Sequence, residues 1–282
     1  MLKMLKHDLK TIWPVWRIVA PVILTLSAVA AVIVGVGYAE FEVLDDYFWL
    51  FGLTAYLIDS YWPMILSAFL TLITVLIVVR YYKNFFTDEG YLTFTLPVSR
   101  TNLLNAKILM ALIWLGATVA VCLLSSVTYS VIVDLIVPDD TFMFGNLTAE
   151  IFELLLPSIK ENFDINYLLF ALEIGFLLIA SAVSNILLLL MCITVGAVIV
   201  KRAKLVLGLG IYYGANAVVV CIFYIGIYIG LVAAGAAYEI SDTAILIMFH
   251  AFLLLGSALF SGLGIGAYLL NKKLINKHLN LP

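Results

Sequence analysis

Six apolar runs dominate the sequence, and each reaches the ~20 residues that a helix needs to cross a bilayer core. They fall at Ile18–Tyr38, Trp62–Tyr82, Ile108–Val133, Tyr167–Val200, Leu205–Ala237 and Thr243–Leu270. A backbone in hydrocarbon must satisfy its own hydrogen bonds, so runs of this length predict helices. The fold class that follows is an all-α membrane protein with six transmembrane helices. Of the 282 residues 65% are hydrophobic and 12% charged, half the charge of an ordinary globular chain. No stretch has the size and polarity of a soluble domain, so residues 1–282 read as a single transmembrane domain. The fourth and fifth runs are longer than the bilayer requires, which predicts tilt, a break or continuation beyond the lipid. Lys3, Lys6 and Lys10 precede the first run as in a signal peptide, but its apolar stretch is too long for one, and it is expected to stay in the protein.

The charges sort themselves by loop. Lys3, Lys6, Lys10 and Arg17 precede the first run, and Arg80, Lys83, Arg100 and Lys107 bracket the loop between the second and third. Lys201, Arg202 and Lys204 separate the fourth and fifth, while Lys272, Lys273 and Lys277 follow the sixth. The acidic residues Glu40, Glu42, Asp45, Asp46, Asp59, Asp134, Asp139, Asp140, Glu150, Glu153, Glu161, Asp164, Glu239 and Asp242 gather in the opposite loops, with Lys160 the basic exception. By the positive-inside rule both termini are expected in the cytoplasm of a multi-pass protein, best placed in a bacterial plasma membrane. The net charge of −3 averages a basic inner face with an acidic outer one. Basic residues at span ends are explained by topology, so nucleic-acid binding has no support.

Catalytic signatures are missing from the sequence. It contains no G-x-x-x-x-G-K-[ST] phosphate loop, no H-E-x-x-H pair and no G-x-S-x-G elbow. Cys122, Cys192 and Cys221 lie within apolar runs without metal-ligand or paired spacing and read as free core thiols. No enzyme activity, metal or bound cofactor is expected of the chain itself.

Three segments outside the runs carry structure of their own. In residues 1–17 Leu2, Leu5 and Leu9 share one helical face, Lys3, Lys6 and Lys10 take the others, and Trp13 and Trp16 follow. This predicts an interfacial helix bent into the first span near Pro14. The loop from Ala39 to Tyr61 holds Tyr47, Phe48, Trp49, Phe51, Tyr56 and Tyr61, which predicts a segment lying along the membrane surface. The outer loop 134–166 includes Asn146–Ile159, whose apolar and acidic residues alternate at helical spacing, as in a short amphipathic surface helix.

The segment 83–107 is the most informative. Its stretch "DEGYLTFTLPVSRTNLL" mixes both charges, Gly, Pro and aromatic residues between two apolar runs. Thr87 and the acidic pair suit a helix start, Pro97 breaks it, and Ser99 or Thr101 can cap a second helix entering the third span. Glu89-Gly90, Leu92, Leu96, Pro97-Val98-Ser99-Arg100, Leu103-Leu104 and Lys107 resemble the corresponding loop in permease subunits of type 2 ABC exporters. The six spans, the inner termini and the N-terminal helix resemble that family as well. The resemblance implies that 83–107 is a coupling helix docking on a cytoplasmic ABC ATPase, with Asp88, Glu89, Tyr91, Phe94, Leu96 and Arg100 as contacts. It implies a dimer with a second copy or a related permease, in contact with membrane lipids. ATP and Mg are expected on the partner ATPase, and the exported substrate is expected to be amphipathic: a peptide, a lipid or a drug-like molecule. The reading from another class is a secondary transporter or membrane scaffold that uses no ATPase.

Polar residues inside the spans are expected to face the bundle or each other, because hydrocarbon penalises them. Glu173 and His250 lie at matching depth and form a buried pair or line a substrate path; Asn216, with Asn185, is a mid-span amide suited to helix contacts. Gly210/Gly214, Gly226/Gly230 and Gly262/Gly266 have the spacing of close-packed helices, within the chain or between subunits. The topology is tested by single cysteines: those at Asp139 and Asp242 should react with an impermeant thiol reagent on intact cells, and those at Ser99 and Lys201 only after permeabilisation. External labelling at Ser99 would remove the basis for an ATPase contact there.

Overall fold

The computed structural model describes residues 2–41, 49–87, 90, 95, 98–137, 167–200, 203–236 and 242–277. Among them lie six long helices: α1 (Leu2–Phe41), α2 (Trp49–Phe86), α3 (Arg100–Ile136), α4 (Tyr167–Ile199), α5 (Lys204–Ala236) and α6 (Asp242–Lys277). All six are long and apolar enough to cross a membrane, so the chain is a multi-pass helical membrane protein. The boundaries of α4 and α5 fall within a residue or so of those expected. The others run longer than their apolar runs. α1 has 40 residues, about 60 Å at 1.5 Å per residue, against a hydrocarbon core of about 30 Å.

The helices reach further than expected at these ends. Residues 2–17 are helical and are not set off from the first span, because α1 continues through Pro14 and Pro21. Proline inside a spanning helix is tolerated where neighbouring side chains and local adjustment compensate the lost bond. Trp13 and Trp16 lie 5.8 Å apart, and Trp16 packs 5.5 Å from Trp114 of α3. Likewise the aromatic stretch before Trp62 is not a surface loop, since α2 begins at Trp49 and carries Asp59 within it. The expected surface helix at Asn146–Ile159 lies outside the described residues.

The chain divides into two compact units, and the division cuts across α2 and α3. One unit holds Leu2–Val79 and Leu109–Leu155. Its core joins Ala30, Ala31 and Val34 of α1 to Trp62 of α2 and Tyr129 and Val133 of α3. Small α1 residues leave room for Trp62 to stack on Tyr129, with centroids 5.4 Å apart and planes 7° from parallel. The Tyr129 hydroxyl donates to Asp59 Oδ1 at 2.9 Å, so a buried carboxylate sits where hydrocarbon alone would not tolerate it.

The other unit holds Arg80–Ile108 and Leu156–Pro282. Here the end of α2 and the start of α3 belong with α4, α5 and α6. Side chains Ile186, Leu189, Leu190 and Ile193 of α4 are buried, as are Leu253, Ala267 and Ile275 of α6 and Phe85, Leu103 and Leu104 beside the segment at 87–99. Close approach depends on small residues. A Cβ on Gly196 would lie 2.5 Å from the Gly208 nitrogen, and one on Gly208 would lie 2.7 Å from Ile193 Cα. Gly264 rests similarly on Ser184. Within the chain the paired glycines do not do this: among the described residues nothing lies where a Cβ on Gly210, Gly214, Gly226, Gly230, Gly262 or Gly266 would go. α5 is the least covered helix, with 6% of its span window buried.

Gly196→Ala should therefore lower stability by about 2 kcal/mol or more, since neither backbone can yield cheaply. Gly214→Ala should be neutral or stabilising by up to about 1 kcal/mol through helix propensity. Thermal unfolding of the two variants in detergent, side by side, checks the difference.

Candidate functional site

The described residues around the segment at 87–99 show how it is held. α2 ends at Phe86, and the Thr87 hydroxyl donates back to the Lys83 carbonyl at 2.6 Å. Gly90 N–H donates to Thr87 O at 2.7 Å, and Gly90 is itself helical. A Cβ on Gly90 would lie 2.9 Å from the Phe85 carbonyl oxygen, so this position requires glycine. On the far side Ser99 caps α3, with its Oγ 3.4 Å from the Asn102 nitrogen. This matches one of the two expected caps.

A polar cluster is buried within the same unit. Tyr81 of α2, Thr194 of α4 and Asn271 of α6 are each no more than 1% exposed. The Tyr81 hydroxyl lies 2.9 Å from Thr194 Oγ1 and 3.3 Å from Asn271 Oδ1. Asn271 Oδ1 accepts from Thr194 Oγ1 at 2.8 Å, and its Nδ2 donates to Tyr81 Oη at 3.2 Å. Each polar atom satisfies another, the condition on which hydrogen-bonding groups enter a membrane interior. A second tie joins Tyr268 of α6 to Asn105 of α3 at 3.0 Å. A third is Arg100, whose Nη1 donates to the carbonyls of Ile275 and Asn276 at 3.2 and 3.4 Å. Those carbonyls lie in the last described turn of α6, toward the negative end of its dipole.

Of the expected docking residues, Asp88, Glu89, Tyr91, Phe94 and Leu96 lie outside the described residues. Arg100 is described, and its guanidinium engages the end of α6. Leu103, Leu104 and Lys107 are buried, so the second half of the motif anchors the segment from within.

The expected membrane-embedded pair forms. His250 Nδ1 of α6 lies 2.5 Å from Glu173 Oε2 of α4, with side chains 20% and 12% exposed. The two atoms share one hydrogen bond between α4 and α6. One turn before Glu173, Phe170 meets Phe249, the neighbour of His250, at 5.4 Å. Asn216 is not part of the pair. It lines a separate groove of about 450 Å³ with Ser181 and Asn185 of α4, Phe223 and Tyr224 of α5 and Phe260 of α6. The Tyr212 hydroxyl donates to Asn185 Oδ1, an α4–α5 contact of the expected kind. Cys192 is buried as expected of a core thiol, whereas Cys221 is exposed on α5.

Among the described residues no cluster of three or more His, Cys, Asp or Glu is placed to hold a metal ion. No protein-family model, curated protein or solved structure matches the chain.

Sequence reasoning missed Asp59 by assigning it to a loop, and it missed Tyr81, Thr194 and Asn271 altogether. A carboxylate inside "LIDSYW" and an amide next to "KK" were the available signals. The pair at Glu173 and His250 makes a quantitative prediction. Glu173→Gln and His250→Gln should each destabilise the protein in detergent, and the double variant should recover at least about 1 kcal/mol relative to their sum, as expected for two side chains that bond to each other. Strict additivity in thermal unfolding would mean that the two side chains are neighbours without coupling.

Proposed function

We propose that the chain is the transmembrane subunit of an ATP-driven exporter of the type 2 ABC class. Residues 83–107 form its cytoplasmic coupling segment, and a separate ABC ATPase carries ATP and Mg. The permease works as a dimer with a second copy or a related permease and moves an amphipathic molecule outward. It does no covalent chemistry. The observation that carries this reading is the fastening of the segment's flanks. Tyr81 and Arg100, on either side of it, hydrogen-bond to α4 and α6 in one compact unit. A force applied to the segment is thereby delivered to buried bonds on both helices rather than dissipated in a tethered loop. Gly90 supports the same reading, because a Cβ there would meet the Phe85 carbonyl oxygen and the motif has glycine at that place.

One observation favours the other class. An ionisable pair inside the spans, Glu173 with His250, is the kind of group that secondary transporters use for proton coupling. Dependence of transport on ATP, measured in vesicles with the proton gradient collapsed, separates the two.

The docking test is a double change in the segment. Glu89→Lys with Leu96→Asp places a reversed charge and an unpaired carboxylate in the interface. Loss of one interface anchor costs about 2 kcal/mol, roughly a thirtyfold fall in affinity. The variant should insert and purify as a monodisperse protein while losing its co-purifying ATPase. Retention of the ATPase at wild-type stoichiometry would move the docking surface elsewhere, to the Lys201–Lys204 turn or the N-terminal end of α1.

A further inference from the structure

Before its apolar run α1 has two unlike faces. Asp8, Ile12 and Ala20 are buried, at 4%, 3% and 3% exposure. On the opposite side Lys6, Lys10, Trp13 and Arg17 follow one another at offsets of four, three and four residues, the repeat that keeps side chains on one helical face. The three cations are exposed, and Trp13 is half-exposed. Asp8 is the only acid before Glu40 and lies on the buried face. Among the described residues none of Lys6, Lys10 and Arg17 pairs with an acid. Trp13 is held in place beside them, with its ring 5.8 Å from Trp16 and 6.2 Å from Trp114 of α3.

What covers this face follows from its place on the helix. Arg17 immediately precedes the apolar run that opens at Ile18, and α1 passes from one to the other without interruption. Arg17 and Trp13 therefore stand at the level of the lipid headgroups, a layer about 5–8 Å thick. Lys10 lies about 10 Å further out and Lys6 about 6 Å beyond it, within reach of the surface through a Debye length of about 8–10 Å. Directly above Arg17 the same face carries Pro21, Leu24 and Ala28, apolar and at least partly exposed. A cationic half continuous with an apolar half fits a molecule that has an anionic head and a hydrocarbon tail. A soluble polyanion or an acidic protein would match the cations and leave the upper half unused.

We propose that this face of α1 is a binding site for an anionic phospholipid of the phosphatidylglycerol class, selected over zwitterionic lipids. The Arg17 guanidinium forks onto the phosphate oxygens, Lys10 and Lys6 add positive potential, and the Trp13 indole lies along the ester level. In phosphatidylcholine the phosphate is already neutralised by its own ammonium, and this face has no acid to receive that ammonium. Phosphatidylglycerol brings an unneutralised charge to three unneutralised cations.

The inference is independent of any ATPase, and its test uses the chain alone. The protein is reconstituted in nanodiscs of equal parts phosphatidylcholine and phosphatidylglycerol, and the lipids retained on extraction into mild detergent are counted by mass spectrometry. Phosphatidylglycerol should be enriched about fivefold or more over phosphatidylcholine, the scale set by a single basic residue at an anionic surface. The enrichment should fall to near parity in Lys10→Gln with Arg17→Gln. It should persist in Lys272→Gln with Lys273→Gln, which removes the same charge from the end of α6. Because Lys10 and Arg17 are exposed, the α1 variant should unfold in detergent at the wild-type temperature, yet lose the stabilisation that phosphatidylglycerol nanodiscs give the wild type over phosphatidylcholine ones. Enrichment that survives the α1 variant, or that falls equally in the α6 variant, would overturn the proposal in favour of diffuse surface charge. Displacement of the lipid by soluble glycerophosphoglycerol would overturn it in favour of an anion site that needs no membrane.

Discussion

Hydrocarbon offers no water to compete for backbone N–H and C=O groups, and every level of this structure follows from that constraint. It makes the described elements helical, and it prolongs them past the lipid wherever the flanking sequence still favours a helix. It also sets the terms on which polar side chains enter. Tyr81, Thr194 and Asn271 are tolerated because each supplies what another lacks, and Asp59 because Tyr129 donates to it. Glu173 and His250 meet the same demand by bonding to each other. Asn216 is the exception that the bundle leaves unmet.

Apolar burial does not distinguish a helix neighbour from a lipid tail, so association rests on shape. Glycines count here by position rather than by motif. Gly196 and Gly208 bring α4 and α5 to backbone contact beside the turn at Ala203, whose φ of 56° is uncommon for a residue with a Cβ. The regularly spaced pairs further along α5 and α6 meet nothing. Spacing alone announces that a helix can be approached closely, and not that anything within the chain does so.

The six helices were legible because a bilayer imposes a length that apolar runs either meet or miss. α4 and α5 were read almost to the residue, since the Lys201–Lys204 cluster and its flanks stop both. The starts of α1 and α2 were not. Their first turns mix charge or aromatic rings with apolar residues, a pattern shared by interfacial helices, surface loops and the projecting ends of spans. The depth match of Glu173 and His250 was visible from counting along two helices, and the structure joins them. The Tyr81–Thr194–Asn271 cluster was hidden because its members are 113 and 77 residues apart and none is unusual where it stands. Only packing reveals that three ordinary polar residues share one buried point.

Arg100 has a further consequence for how the helices are registered. A cation in the first turn of α3 sits at the positive end of that helix's dipole, where it is disfavoured. The last carbonyls of α6 present the opposite partial charge and accept the guanidinium. Each helix end thus corrects the defect of the other. Sliding α6 by a single turn would break both of these bonds, so the pair behaves as a detent with one favourable position. A displacement of α3 along its axis is then transmitted to α6 as a whole, or it costs the full electrostatic mismatch before α6 moves at all.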